Sequence, residues 1–260
     1  MALAALSRFW RRPAPPSPVS GGQVVYAIGD VHGRADLLAR LIDVIGRDAE
    51  SLALKAPPAL VFLGDYVDRG ADSRSVVDQV IALALARRYE VRALKGNHEQ
   101  ALLAFLDDAS FGPTWADFGG GETLLSYGVT PPGPRGGAEA WEEARRAFDR
   151  ALPQLHRSLL NGLEMMVVYG DYAFVHAGVR PGVDLDSQRD HDLLWIRDEF
   201  LQAKGPFGKV IVHGHTPAAE PYLGPFRIGI DTGAYATGVL TAIRIRDAEQ
   251  VILDCVDRPS

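Results

Sequence analysis

The chain has 260 residues, 47% of them hydrophobic, which is enough to build a sizeable core as one large domain or a domain with an insertion. A formal net charge of −6 argues against a broad nucleic-acid-binding face, so no duplex partner is expected and an anionic substrate must be attracted locally. The single cysteine, Cys255, excludes an internal disulfide framework, and no stretch is apolar and long enough for a transmembrane helix; a cytoplasmic protein is expected.

Residues 1–22 begin with a short apolar run, followed by Arg8, Arg11 and Arg12 and then by Pro13, Pro15, Pro16 and Pro18. Charges that follow the apolar run do not make a secretory signal, and the prolines oppose a regular helix, so a disordered tail is expected. A single domain is expected over residues 23–257. Strand-like runs at 23–28, 59–63 and 91–95 alternate with two helical patterns. One spans 35–49, with Leu37, Leu38, Leu41, Ile42 and Ile45; the other spans 73–88, with Val76, Val77, Val80, Ile81 and Leu83. Such alternation implies βαβ units around a parallel sheet, whose ligands gather at the carboxyl ends of the strands.

The pattern changes over residues 100–163. Helices are expected at 100–108 and 141–151, with loops at Gly119-Gly120-Gly121 and at 131–137. This segment is expected to border the site, with Trp115, Tyr127 and Trp141 in its own core and His156 in a structural role, as is His191 beyond it. Further strands are expected at 172–175, 209–212, 227–230, 238–246 and 250–256, the last two as a hairpin around Asp247 and Ala248. The fold class is α/β (α+β), with two packed sheets flanked by helices.

Five polar blocks follow strand-like runs: Gly29-Asp30-Val31-His32-Gly33, Gly64-Asp65-Tyr66-Val67-Asp68-Arg69-Gly70, Gly96-Asn97-His98-Glu99, His176-Ala177-Gly178 and His213-Gly214-His215-Thr216. Asp30 and His32, one residue apart, can project to one side of an extended strand end. With Asp65, Asn97, His176 and His215 they supply three imidazoles, two carboxylates and an amide oxygen, without a thiolate. That set suits Mn²⁺, Fe or Zn²⁺ with positions left open, and two such cations can clamp phosphoryl oxygens.

The series of blocks resembles the phosphoprotein phosphatase branch of the calcineurin-like metallophosphoesterases, and Ile230-Asp231-Thr232-Gly233-Ala234 is similar to the bacterial and phage type, such as bacteriophage lambda protein phosphatase. The resemblance implies a four-layer αββα sandwich with two packed mixed β-sheets flanked by helices. It implies two divalent metal ions, Mn²⁺ foremost, the first on Asp30 and His32, the second on Asn97, His176 and His215, with Asp65 bridging. His213 would stand behind the ligands. His98 would be the general acid oriented by Asp68, while Arg69, with Asn97 and Arg197, would contact the substrate phosphate. For Arg197 the alternative is a surface ion pair with Asp198 or Glu199.

The activity implied is direct hydrolysis of phosphomonoesters in a phosphorylated protein or peptide, at serine or threonine and also at tyrosine; Glu99 favours this reading. A second reading is a symmetrical dinucleoside polyphosphate hydrolase, acting on small phosphate esters or anhydrides such as diadenosine tetraphosphate. A third is a phosphate-binding scaffold without turnover.

Overall fold

Successive residues of the first strand, β1 (Val24–Ile28), enter two different cores: Tyr26 and Ile28 face one, Val25 and Ala27 the other. A strand buried on both faces must have a layer packed against each side. The computed structural model describes residues 20–133 and 136–257, so most of the expected tail, residues 1–19, lies outside the described residues.

From β1 the chain runs through α1 (Ala35–Ser51), β2 (Ala59–Phe62), α2 (Ser73–Ala86) and β3 (Glu90–Ala93). The three strands are parallel, and the register pairs Ile28 with Phe62 and Phe62 with Ala93. Their carboxyl ends are therefore level, and the three polar blocks that follow them emerge side by side. Five helices come next: α3 (Asn97–Asp107), α4 (Gly112–Asp117), α5 (Gly120–Ser126), α6 (Ala138–Ala151) and α7 (Gln154–Asn161). The chain continues with β4 (Met166–Tyr169), β5 (Tyr172–Val175), α8 (Asp190–Trp195), α9 (Asp198–Leu201), β6 (Val210–His213), β7 (Tyr222–Leu223) and β8 (Arg227–Gly229). A short α10 (Ala234–Thr237) precedes the hairpin of β9 (Val239–Arg246) and β10 (Glu249–Val256).

The strands form two five-stranded mixed sheets, in the orders β10-β9-β1-β2-β3 and β4-β5-β6-β8-β7. Their inner faces meet in one core that includes Val25, Ala27, Val61, Phe174, Val212, Ile228 and Ile243. The outer face of the first sheet packs Tyr26, Ile28 and Phe62 against Leu37 and Leu41 of α1 and Val76 and Val80 of α2. On the outer face of the second, Val175 and Ile211 meet Leu193 of α8 and Phe200 of α9. Helices, sheet, sheet, helices: the four layers are those expected. Among the described residues, no helix is long and apolar enough to cross a membrane.

Two local expectations change. Gly119-Gly120-Gly121 is not a loop: Gly119, with φ +97°, starts α5, and a Cβ on Gly120 would lie 2.4 Å from the Trp115 indole. Here glycine serves close packing, which a run of glycines does not distinguish from a flexible turn. Helix α3 also begins three residues before position 100, because Glu99 reaches back to accept from Gly96 N at 2.9 Å and caps it. The helical segment has its own aromatic core, in which Phe105, Trp115, Trp141 and Phe148 meet ring to ring. His156 ties that core to α2, with Nδ1 2.8 Å from Tyr127 Oη and Nε2 2.8 Å from Asp78 Oδ1.

Phe174 is fully buried between the sheets. Phe174→Ala is expected to lower stability by about 3–5 kcal/mol, measured as a shift in the urea unfolding midpoint at unchanged slope.

Candidate metal centre and phosphate site

The backbone of the blocks departs from ordinary conformations. Among the described residues eight non-glycines have positive φ, and five of them lie in the blocks: His32, Asp65, Asp68, Arg69 and His215. Left-handed backbone at such residues costs about 1–3 kcal/mol each and persists only where surrounding contacts impose it. Glu99 supplies much of that restraint. Its Oε2 accepts from Gly96 N and Asp65 N, both at 2.9 Å, and its Oε1 from Tyr66 N at 2.8 Å and Val67 N at 3.3 Å. Burial, and then the nearby Asp65, push the Glu99 carboxyl up to about 7, against the amides that favour its charge. Fully buried and turned to the backbone, Glu99 is out of reach of a substrate, so its presence says little about substrate class.

Asp65 lies at the centre of the cluster. Its Oδ2 is 3.4 Å from His32 Nε2 and 3.9 Å from His98 Nε2, and its Oδ1 is 3.5 Å from His176 Nε2. Asn97 Oδ1 lies 2.8 Å from His176 Nε2 and 2.9 Å from His215 Nδ1. Two donor groups result, His32–Asp65–His98 and Asp65–His176–His215, each with its ligand atoms within 4.8 Å of one another and Asp65 common to both. Asp30 enters differently: both its oxygens accept from His215 N, at 3.0 and 3.2 Å.

The donor set fits divalent cations on its own chemistry. His32 Nδ1 donates to Val67 O and His176 Nδ1 to Leu63 O, each at 2.8 Å, because a carbonyl can only accept. Each ring therefore turns a lone pair at Nε2 toward the Asp65 carboxylate, an arrangement that asks for positive charge between them. His215 Nε2 is buried without a hydrogen-bond partner. Burial lowers His32 to about 3 and His215 to about 2, which keeps both neutral and able to ligate. Burial works against the Asp65 carboxylate, but the surrounding histidines, His176 and His98 foremost, hold it below the usual range. Asp30 is driven well above that range, by burial first and then by Asp231 and Asp65.

Beside the donors, His98 Nδ1 is 2.7 Å from Asp68 Oδ2. Burial lowers the His98 pKa, yet Asp65 and Asp68 outweigh it and raise the imidazolium above its usual range. Arg69 brings Nη1 to 3.2 Å from His32 Nε2 and stacks its guanidinium 4.7 Å from the Tyr235 ring centroid. Arg197 is exposed at the start of α9. Among the described residues it makes no ion pair with Asp198 or Glu199, and Glu199 pairs instead with Arg180 at 2.7 Å. The positive charge of Arg197 acts, after larger causes, to lower His176, His215 and Asp231.

His213 is not among these groups. Strand alternation sends it outward with Ile211, against the Phe200 ring at 5.1 Å, with Nδ1 3.0 Å from Gly214 O and Nε2 3.4 Å from Arg227 Nη1. His191 is exposed and His156 is spent on Tyr127 and Asp78.

Residues 24–236 match the family model described as Calcineurin-like phosphoesterase. The chain belongs to that family. Over 242 residues it is 26% identical to the asymmetrical bis(5'-nucleosyl)-tetraphosphatase PrpE of Anoxybacillus flavithermus, covering 86% of this chain and 91% of that protein. Over 224 residues it is 28% identical to serine/threonine-protein phosphatase 1 of Salmonella typhimurium, covering 85% and 92%. A solved serine/threonine phosphatase from Saccharomyces cerevisiae shares the fold, with a TM-score of 0.57, 16% identity, and 92% and 82% of the two chains covered. This phosphoesterase is thus a metal-dependent hydrolase of phosphate esters.

Four residues of its site escape sequence reasoning: Trp115 and Thr123, which bond Asp68, Tyr235, which stacks on Arg69, and Glu99 in its backbone role. Only Glu99 carried a local signal, an acid at the third position of a helix after a glycine.

Glu99→Gln puts an NH₂ group against amide donors. It is expected to cost about 1–3 kcal/mol in chemical denaturation and to reduce the divalent metal retained after gel filtration. Chelator-stripped phosphoesterase is expected to gain about 3 kcal/mol when Mn²⁺ is added at a hundredfold excess over its Kd, measured by thermal unfolding, and His32→Ala to abolish most of that gain.

Proposed function

We propose that this phosphoesterase is a dinuclear serine/threonine protein phosphatase that hydrolyses phosphomonoesters in a phosphorylated protein or peptide and also accepts phosphotyrosine. The observation that carries the reading is the buried His98–Asp68 pair, with Nδ1 2.7 Å from Oδ2 and the imidazolium favoured. An alkoxide from serine or threonine is a poor leaving group and needs a proton as the P–O bond breaks, whereas a nucleotide leaving from an anhydride is already a stable anion. A held acid of this kind suits the former.

Asp30, His32 and Asp65 would hold one divalent cation, and Asp65, Asn97, His176 and His215 the other; when bound, Mn²⁺, or Fe or Zn²⁺ in its place, supplies Lewis-acid activation of water and of the phosphoryl group. Arg69 offers a planar fork to two phosphoryl oxygens, and stacking on Tyr235 at 4.7 Å limits where that fork can swing. Arg197 adds a second positive charge, and Asn97 a polar contact, at the same mouth. His98 keeps its Nδ1 proton on Asp68 and gives the Nε2 proton to the leaving oxygen. A reducing, cytoplasmic setting suits the one buried free thiol, Cys255.

A second reading, hydrolysis of dinucleoside tetraphosphates, is favoured by the extent and identity of the match to PrpE, which are close to those of the match to the Salmonella phosphatase. Side-by-side turnover of a phosphoserine peptide and diadenosine tetraphosphate by the Mn²⁺-loaded enzyme separates the two, and a higher kcat/KM for the peptide is expected. His98→Asn is expected to lower kcat on the peptide about 10²–10⁴-fold with metal content near normal. Because His98 Nε2 also lies in the His32–Asp65 donor group, loss of metal in that variant would make His98 a ligand instead.

A further inference from the structure

Asp68 is fully buried, and beside His98 two residues of the helical segment donate to its carboxylate. Trp115 Nε1, on α4, donates to Oδ2 at 2.9 Å, sharing that oxygen with His98 Nδ1. Thr123 Oγ1, on α5, donates to Oδ1 at 2.6 Å and accepts from Asp68 N at 2.9 Å. Since the Thr123 proton is committed to Asp68, the 3.0 Å contact between Thr123 and Ser73 has Ser73 as donor. Trp115 and Thr123 are themselves fully buried. Nothing of this clasp comes from the five polar blocks: its two side chains stand 47 and 55 residues beyond Asp68.

We propose that Trp115 and Thr123 are positioning residues that hold the Asp68 carboxylate in the one orientation in which it aligns His98 for proton donation; the proposal rests on the reading of His98 as the general acid. An indole N–H can only donate, so Oδ2 always faces a donor there, and the hydroxyl on Oδ1 stops the carboxylate turning about its last torsion. The plane of the carboxylate then sets the direction of the Nδ1–H bond, and with it where Nε2 points. In the step served, the P–O bond to the leaving group breaks, the leaving oxygen takes the Nε2 proton, and His98 ends neutral with its Nδ1 proton still on Asp68. The same segment also reaches the neighbouring clamp residue, since Gly119 O accepts from Arg69 N at 3.1 Å.

Leaving-group dependence tests the proposal, because p-nitrophenolate departs with little protonation and phenolate needs it. For Thr123→Val, kcat on phenyl phosphate is expected to fall about tenfold or more, with KM and metal content unchanged, while kcat on p-nitrophenyl phosphate falls much less. Thr123→Ser, which keeps the hydroxyl, is expected to restore the loss. Trp115→Phe, which keeps the ring and removes only the donor, is expected to act in the same direction and serves if the valine variant does not fold. Equal losses on both esters, or a serine variant as impaired as the valine one, would overturn the proposal. His98→Asn run beside them separates the two failures. If it slows the two esters alike, the acid reading falls with the proposal; if it alone is selective for phenyl phosphate, only the positioning role falls.

Discussion

A carboxylate taken out of water has to find positive charge or strong donors close by, and Asp65 is that carboxylate here. It is almost fully buried, sits in left-handed backbone, and faces His32 and His98 on one oxygen and His176 on the other. The surrounding architecture is arranged around this demand. The level register of β1, β2 and β3 brings the first three blocks together, and β5 and β6 deliver His176 and His215 from the second sheet. The cluster therefore exists only where the two sheets meet, and neither sheet carries a complete donor set. A cation held by this donor set would draw its ligands from both sheets.

Much of this was legible in the sequence because the relevant chemistry is local. A ligand must leave a strand at its carboxyl end, so the polar blocks could be recognised by what preceded them. The helical periods of α1 and α2 are long enough to read, as Leu37, Leu41 and Ile45 show on one face of α1. Strand β4, with one fully buried residue in four, and the two-residue β7 have too little pattern to declare themselves. His213 and His215 look equivalent as letters, but His213 ends β6 and turns toward Phe200, whereas His215 lies beyond the strand in left-handed backbone and turns toward Asn97.

What stayed hidden is long-range. Two of the partners of Asp68 come from α4 and α5, and no spacing rule connects a tryptophan and a threonine to a carboxylate some fifty residues earlier. Glu99 was visible but easily misjudged: its four amide contacts are made to backbone, which has no sequence identity to betray them. Gly120 shows the same difficulty from the other side, being small for the sake of an indole that only the fold brings near.

The bond from Tyr127 through His156 to Asp78 links α5, α7 and α2, and α5 carries the threonine that holds Asp68. The helical segment is thus pinned at one end to the loop that carries Asp68 and at the other to a helix of the scaffold. It cannot be exchanged as a cassette between relatives of different substrate preference without carrying its inner face along. New specificity would have to be built on a surface whose underside is already committed to holding Asp68.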